Sequence, residues 1–94
     1  EAPSVEEPDE DGAFPSDFCV TSNRVGFFFS GGKNKPALVN VDDHVKFNQP
    51  VCIIEQLGQQ YVYLSEVSGT VVKIFVEDGD PVEYGAKVML IRPD

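Results

Sequence analysis

Apolar residues along this chain fall in short runs broken by turn formers, and no window carries helical spacing over enough residues to define a helix. Residues 25–29, 51–56, 61–64, 69–75 and 88–92 read as strands, with Gly, Asn, Asp and Pro between them. In the stretch IIEQLGQQYVYL, two alternating apolar runs flank polar residues around a glycine. That pattern predicts a β-hairpin with Gly58 at its tip. A period of two puts Tyr61 and Tyr63 on one face and Val62 and Leu64 on the other. The same rule sets Val72, Ile74 and Val76 against Val71, Lys73 and Phe75. Phe27, Phe28 and Phe29 are consecutive, so at least one points away from the core, and the loop that follows is expected to cover it.

The pattern repeats. VNVDDHVKFNQPVCII, residues 39–54, lies over VEDGDPVEYGAKVMLI, residues 76–91, without a gap. Val39 matches Val76, Asp43 matches Asp80, Val45 matches Val82, Val51 matches Val88 and Ile54 matches Ile91. Asp42 and Asn48 stand where the second copy has Gly79 and Gly85. Glycine takes a positive φ without a Cβ penalty, and Asp and Asn are the residues that best tolerate it, so both copies are expected to make the same two turns. The match runs backwards through VGFFF and SGTVV, after which the first copy inserts extra residues in SGGKNKPAL, expected as a protruding loop. Two such halves bury their apolar faces against each other. The expected fold is all-β, a flattened barrel or sandwich of two antiparallel sheets with quasi-two-fold symmetry, and the hairpin at Gly58 joins the halves.

Length and charge sharpen the organisation. Ninety-four residues suffice for one small domain. Of the net charge of −9, seven negative charges lie in EAPSVEEPDEDGAFPSD, which has no base. This acidic segment has little apolar surface to offset its ordering entropy, so residues 1–16 read as a disordered linker and residues 17–94 as the domain. No basic stripe suggests nucleic-acid binding, and no apolar run reaches the roughly 18 residues of a membrane span. The chain opens on Glu, which reads as a processed or excised segment of something longer.

Candidate chemistry is sparse. Cys19 and Cys52 lack CxxC spacing and accompanying histidines, and Cys52 inside VCII reads as a buried free thiol. His44, aligned with Pro81, reads as a surface turn residue. Asp42, Asp43, Asp78 and Asp80 recur at turns, which favours capping over paired catalytic carboxylates. No catalytic residue and no metal site is expected.

With the repeat and hairpin in view, residues 18–92 resemble the biotinyl/lipoyl carrier domains, and above all the biotin carboxyl carrier domain of acetyl-CoA carboxylase. VTSNRVGFFF is similar to that domain's opening strands, VDDHVKFNQPVCIIE to the approach to its hairpin and SGTVVKIFVEDGDPVEYGAKVMLI to its closing strands. The insert at 30–38 falls where that carrier has a protruding thumb. In the family the hairpin reads E-A-M-K-M or close to it, and its lysine is acylated by biotin. Here the same spacing holds Glu55, Gln56, Leu57, Gly58 and Gln59. The modifiable position is therefore Gly58, flanked by Gln56, Leu57 and Gln59.

A glycine has no amine with which to form the biotinyl amide. Lys33 and Lys35 lie in the thumb-like loop, Lys46, Lys73 and Lys87 in or beside strands, and none has the flanking residues a biotin ligase is expected to read. This resembles the plant biotin/lipoyl attachment domain-containing proteins, which lack the biotinyl lysine. The resemblance implies a non-catalytic protein of the chloroplast stroma, without cofactor, that associates with the biotin carboxylase and biotin carboxyl carrier subunits of the heteromeric acetyl-CoA carboxylase and acts as a negative regulator of fatty acid biosynthesis. Two alternatives stay open: a genuine biotin or lipoyl carrier modified at a non-standard lysine, and a lipoyl-like adaptor in an unrelated complex.

Overall fold

The computed structural model of the chain describes residues 7–10, 12–32 and 34–94. Much of the acidic segment read as a linker, residues 1–6 and 11, lies outside the described residues, as does Lys33. The chain forms strands β1 (Phe18–Thr21), β2 (Gly26–Phe29), β3 (His44–Val45), β4 (Pro50–Gln56), β5 (Gln59–Leu64), β6 (Gly69–Ile74), β7 (Pro81–Val82) and β8 (Lys87–Pro93), with no helix among the described residues. They make two antiparallel four-stranded sheets, one in the order β1-β8-β6-β3 and the other in the order β5-β4-β2-β7. The all-β, two-sheet expectation is met. The halves of the repeat interlock, because β3 pairs with β6 of the second half while β7 pairs with β2 of the first.

The internal symmetry extends to individual hydrogen bonds. Asp42 N donates to Val71 O at 2.7 Å, and Gly79 N to Phe28 O at 2.7 Å. Val71 N returns a bond to Asp43 O at 2.9 Å, as Phe28 N does to Asp80 O at 2.9 Å. The backbone is left-handed at all four expected turn positions, with φ of 78° at Asp42, 87° at Gly79, 69° at Asn48 and 86° at Gly85. Asp43 accepts from Asn40 N at 2.9 Å and Asp80 from Glu77 N at 2.8 Å, so these two carboxylates cap their turns. Asp78 instead accepts from Ser30 N at 2.7 Å and braces the start of the inserted loop.

Between the sheets lies a core that includes Phe28, Val45, Val51, Cys52, Ile54, Val71, Val82, Val88, Met89 and Ile91. Each fully buried aliphatic or aromatic side chain contributes about 1.5–3 kcal/mol. Strand periodicity fails at one place. Val71 faces Ile91 while Lys73 faces Leu90, so β6 carries one extra residue at Val72. This bulge brings Val71 and Ile74 to the same core side, correcting the alternation that set Val71 with Lys73 and Phe75. His44 also departs from expectation. It lies on β3, paired with Thr70, and its exposed ring meets the Asp94 carboxylate at 2.9 Å.

Two serines complete the symmetry. Ser22 and Ser65 are buried, and each hydroxyl donates to a carbonyl two residues on, Arg24 O and Val67 O, both at 2.5 Å. Their own carbonyls accept from Gly85 N and Asn48 N, both at 2.7 Å. Aligning TSNRVG over LSEVSG would have shown this pair in the sequence.

Candidate functional site: the hairpin between β4 and β5

Strands β4 and β5 pair from Pro50–Leu64 out to Gln56–Gln59, leaving Leu57 and Gly58 as a two-residue turn. Both have positive φ, 51° and 81°, the backbone of a type I′ hairpin. Glycine accepts that conformation freely, whereas Leu57 bears a cost of about 1–2 kcal/mol. The Leu57 side chain is 98 % exposed. A Cβ built on Gly58 meets no atom within 4 Å, so the position faces open space.

Two side-chain hydrogen bonds flank the tip. Gln56 Nε2 donates to Val25 O at 3.0 Å, tying the end of β4 to the chain entering β2, and Tyr61 OH donates to Gln59 Oε1 at 3.4 Å. Behind the turn, Glu55 pairs with Gln60 and Ile54 with Tyr61. Arg24 lies flat over Tyr61, its guanidinium carbon 3.6 Å from the ring centre, and donates to Tyr63 OH at 3.3 Å. The sequence reading missed this brace, because nothing local links Arg24 to residues so far along the chain.

The inserted loop leans over the outer side of the same sheet. Its neck is closed by Leu38 N donating to Ser30 O at 2.7 Å, and a Cβ at Gly31 would sit 2.3 Å from Pro36 O. Between loop and strands is a hollow of about 510 Å³ lined by Phe29, Gly31, Gly32, Lys35, Glu55 and Gln60, among others. Loop coverage of the outward phenylalanines is thus divided: Phe29 is half-buried at this hollow, while Phe27 stays 52 % exposed.

No described lysine occupies a comparable turn. Lys35 is in the loop, Lys46 follows β3, Lys73 lies within β6 and Lys87 opens β8. Among the described residues no cluster of His, Cys, Asp and Glu is arranged to hold a metal. Neither cysteine is in a disulfide, and burial pushes the Cys52 thiol up to about 12. No helix of the described residues is long and apolar enough to cross a membrane.

Two quasi-equivalent β-modules, closed by an exposed type I′ hairpin, define the biotinyl/lipoyl class of domain. The family model described as "Biotin-requiring enzyme" (biotin/lipoyl) matches residues 20–91, and the chain belongs to this family. It is similar to the biotin carboxyl carrier protein of acetyl-CoA carboxylase from Nostoc sp., 38 % identical over 76 residues, covering 80 % of this chain and 42 % of that protein. It is also similar to the chloroplastic biotin carboxyl carrier protein 2 of Arabidopsis thaliana, 37 % identical over 67 residues, covering 71 % of this chain and 26 % of the relative. The chain therefore spans less than half the length of these two relatives. Among solved structures, urea carboxylase from Kluyveromyces lactis contains a similar fold, with a TM-score of 0.70 and 31 % identity, covering 97 % of this chain and 7 % of the enzyme.

Proposed function

We propose that this protein is a non-catalytic, biotin-carrier-like subunit that binds the heteromeric acetyl-CoA carboxylase in place of the biotin carboxyl carrier and lowers its activity, regulating fatty acid synthesis. One observation carries the reading: the exposed hairpin tip, where the carriers it resembles bear the biotinyl lysine, holds Gly58. Biotin attachment requires a side-chain amine, which glycine lacks. The carrier-like fold is retained and on this reading presents the carrier's contact surface, so the mechanism is occupancy: each carrier position filled by this chain transfers no carboxyl group. If it and a true carrier bind alike, the active fraction follows their concentration ratio.

Its partners on this reading are the biotin carboxylase and biotin carboxyl carrier subunits. Its place is the chloroplast stroma, a reading supported by the chloroplastic relatives from Arabidopsis thaliana and Glycine max and left open by bacterial ones. Residues 1–16 serve in it as an acidic linker to the domain. The test is a competition pull-down on biotin carboxylase with genuine carrier titrated in. Binding that the carrier displaces supports the proposal; absence of binding removes the acetyl-CoA carboxylase assignment.

A further inference from the structure

The internal two-fold axis permits a residue-by-residue comparison of the outer faces of the two sheets, and they differ sharply. In the β1-β8-β6-β3 sheet, Arg92 sits opposite Thr70; in the β5-β4-β2-β7 sheet the equivalent place holds Glu55, opposite Phe27. Leu90 beside Cys19 corresponds to Ile53 beside Val62. Thr21 corresponds to Leu64. One face is therefore largely polar, whereas the other exposes Phe27 at 52 % and Val62 at 53 % beside Glu55, and Leu64 at 46 % further along β5.

The first face is already partly covered. The segment ahead of β1 turns back through Asp9 and Gly12, and Arg92 holds it with a bidentate pair to Asp17 at 2.9 and 3.0 Å. Arg92 also stacks on the Phe14 ring at 4.7 Å and reaches Gly12 O at 3.5 Å. At the corresponding place on the second face, Glu55 has Gln60 as its cross-strand neighbour, and no ion pair of Glu55 occurs among the described residues. Among the described residues the hollow beside it is lined by two carboxylates, Glu55 and Asp78, and one ammonium, Lys35. Asp78 Oδ1 accepts from Ser30 N, whereas the Glu55 carboxylate has no such hydrogen bond among the described residues.

We infer that the outer face of β5, β4 and β2 is a docking surface for a partner-protein segment carrying a basic side chain flanked by aromatic or aliphatic ones, the charge-inverted counterpart of the segment that Arg92 holds. The basic group pairs with Glu55, and its apolar neighbours cover Phe27, Val62 and Leu64. The inference stands independently of the acetyl-CoA carboxylase assignment, because it rests on the comparison of the two faces.

Backbone amide NMR of the whole chain, titrated with a synthetic peptide, tests it. The probe copies residues 7–18 with every Asp and Glu replaced by Lys; the unaltered peptide is the control. The expected result is shifts confined to residues around Phe27, Glu55, Gln60 and Val62, with a dissociation constant below about 1 mM. Glu55→Arg weakens binding at least about tenfold, and Phe27→Thr, which installs the residue of the other face, weakens it with the spectrum otherwise intact. No shifts at about 2 mM peptide, equal shifts with the unaltered peptide, or shifts that depend on protein concentration without peptide each overturn the inference. The last result would make the face a self-association surface.

Discussion

Gly26 lies so close to the carbonyl of Glu55 that a Cβ built on it would stand 2.2 Å from that oxygen. Gly69 repeats the arrangement against Arg92 O at 2.1 Å. Backbone cannot yield as a flexible side chain does, so Gly26→Ala and Gly69→Ala are each expected to lower stability by about 1–3 kcal/mol or more. Gly79 and Gly85 have open space but positive φ, and alanine there costs about 1 kcal/mol. Urea unfolding of the four variants checks the ranking; equal losses would refute it.

At the hairpin tip, restoring an amine together with the residues that flank it in the carriers should restore the chemistry. Gly58→Lys puts a side chain at a position that faces open space, at the cost of a non-glycine residue at φ 81°, about 1 kcal/mol. With Gln56→Ala, Leu57→Met and Gln59→Met added, which supplies the flanking residues of the carriers, the variant incubated with biotin ligase, biotin and ATP is expected to gain one biotinyl group by mass spectrometry and the native chain none. Labelling of the native chain would place the modification on another lysine and remove the occupancy mechanism.

The bridge from Asp17 to Arg92 should leave a signature in acid. The Asp17 side chain is inaccessible, and its hydrogen bonds from Arg92 hold its carboxyl below the usual value of 3.8. A carboxyl lowered in the folded state stabilises the fold above its unfolded pKa and loses that contribution as pH falls through the folded value. Because Arg92 is partly exposed, Asp17→Asn is expected to cost no more than about 1 kcal/mol at pH 7. The difference between native chain and variant shrinks as pH falls below 3.8, which paired denaturation curves at pH 7 and in acid measure.

Thiol reactivity should separate the cysteines. Cys52 is wholly buried in the core with its thiol pushed up to about 12, while Cys19 is half-buried on β1. Alkylation at pH 8 is expected to mark Cys19 alone, with Cys52 reacting only once the chain is unfolded. Peptide mass spectrometry after timed labelling reads this directly, and early labelling of Cys52 would show that the core opens locally.

Removing one buried serine hydroxyl should cost more than its size suggests. Ser65→Ala leaves Val67 O without its donor, at an expected loss of about 1–3 kcal/mol, and Ser22→Ala should match it at Arg24 O. Thermal unfolding of both variants tests whether the two sites are energetic as well as geometric equivalents.

The amino-acid sequence by itself determined five of the eight strands of the described residues, the turns and the duplication, because these depend on local properties, whereas β1, β3 and β7 are defined by the strands they pair with. Alternation of apolar residues marks a half-buried strand, and the exchange of Gly79 for Asp42 or Gly85 for Asn48 marks a left-handed turn within a few residues. The hairpin around Gly58 was legible for the same reason. Only the tertiary structure decided what depends on pairing between distant segments. The bulge at Val72 exists because β6 must match β8, and the strand assignment of His44 exists because Thr70 lies opposite it. The Arg24 brace, the packing limits at Gly26 and Gly69, and the contrast between Arg92 and Glu55 appear only once two sheets have formed. Local pattern encodes which side of a strand is apolar; what then covers that side is set by chain brought back from far along the sequence.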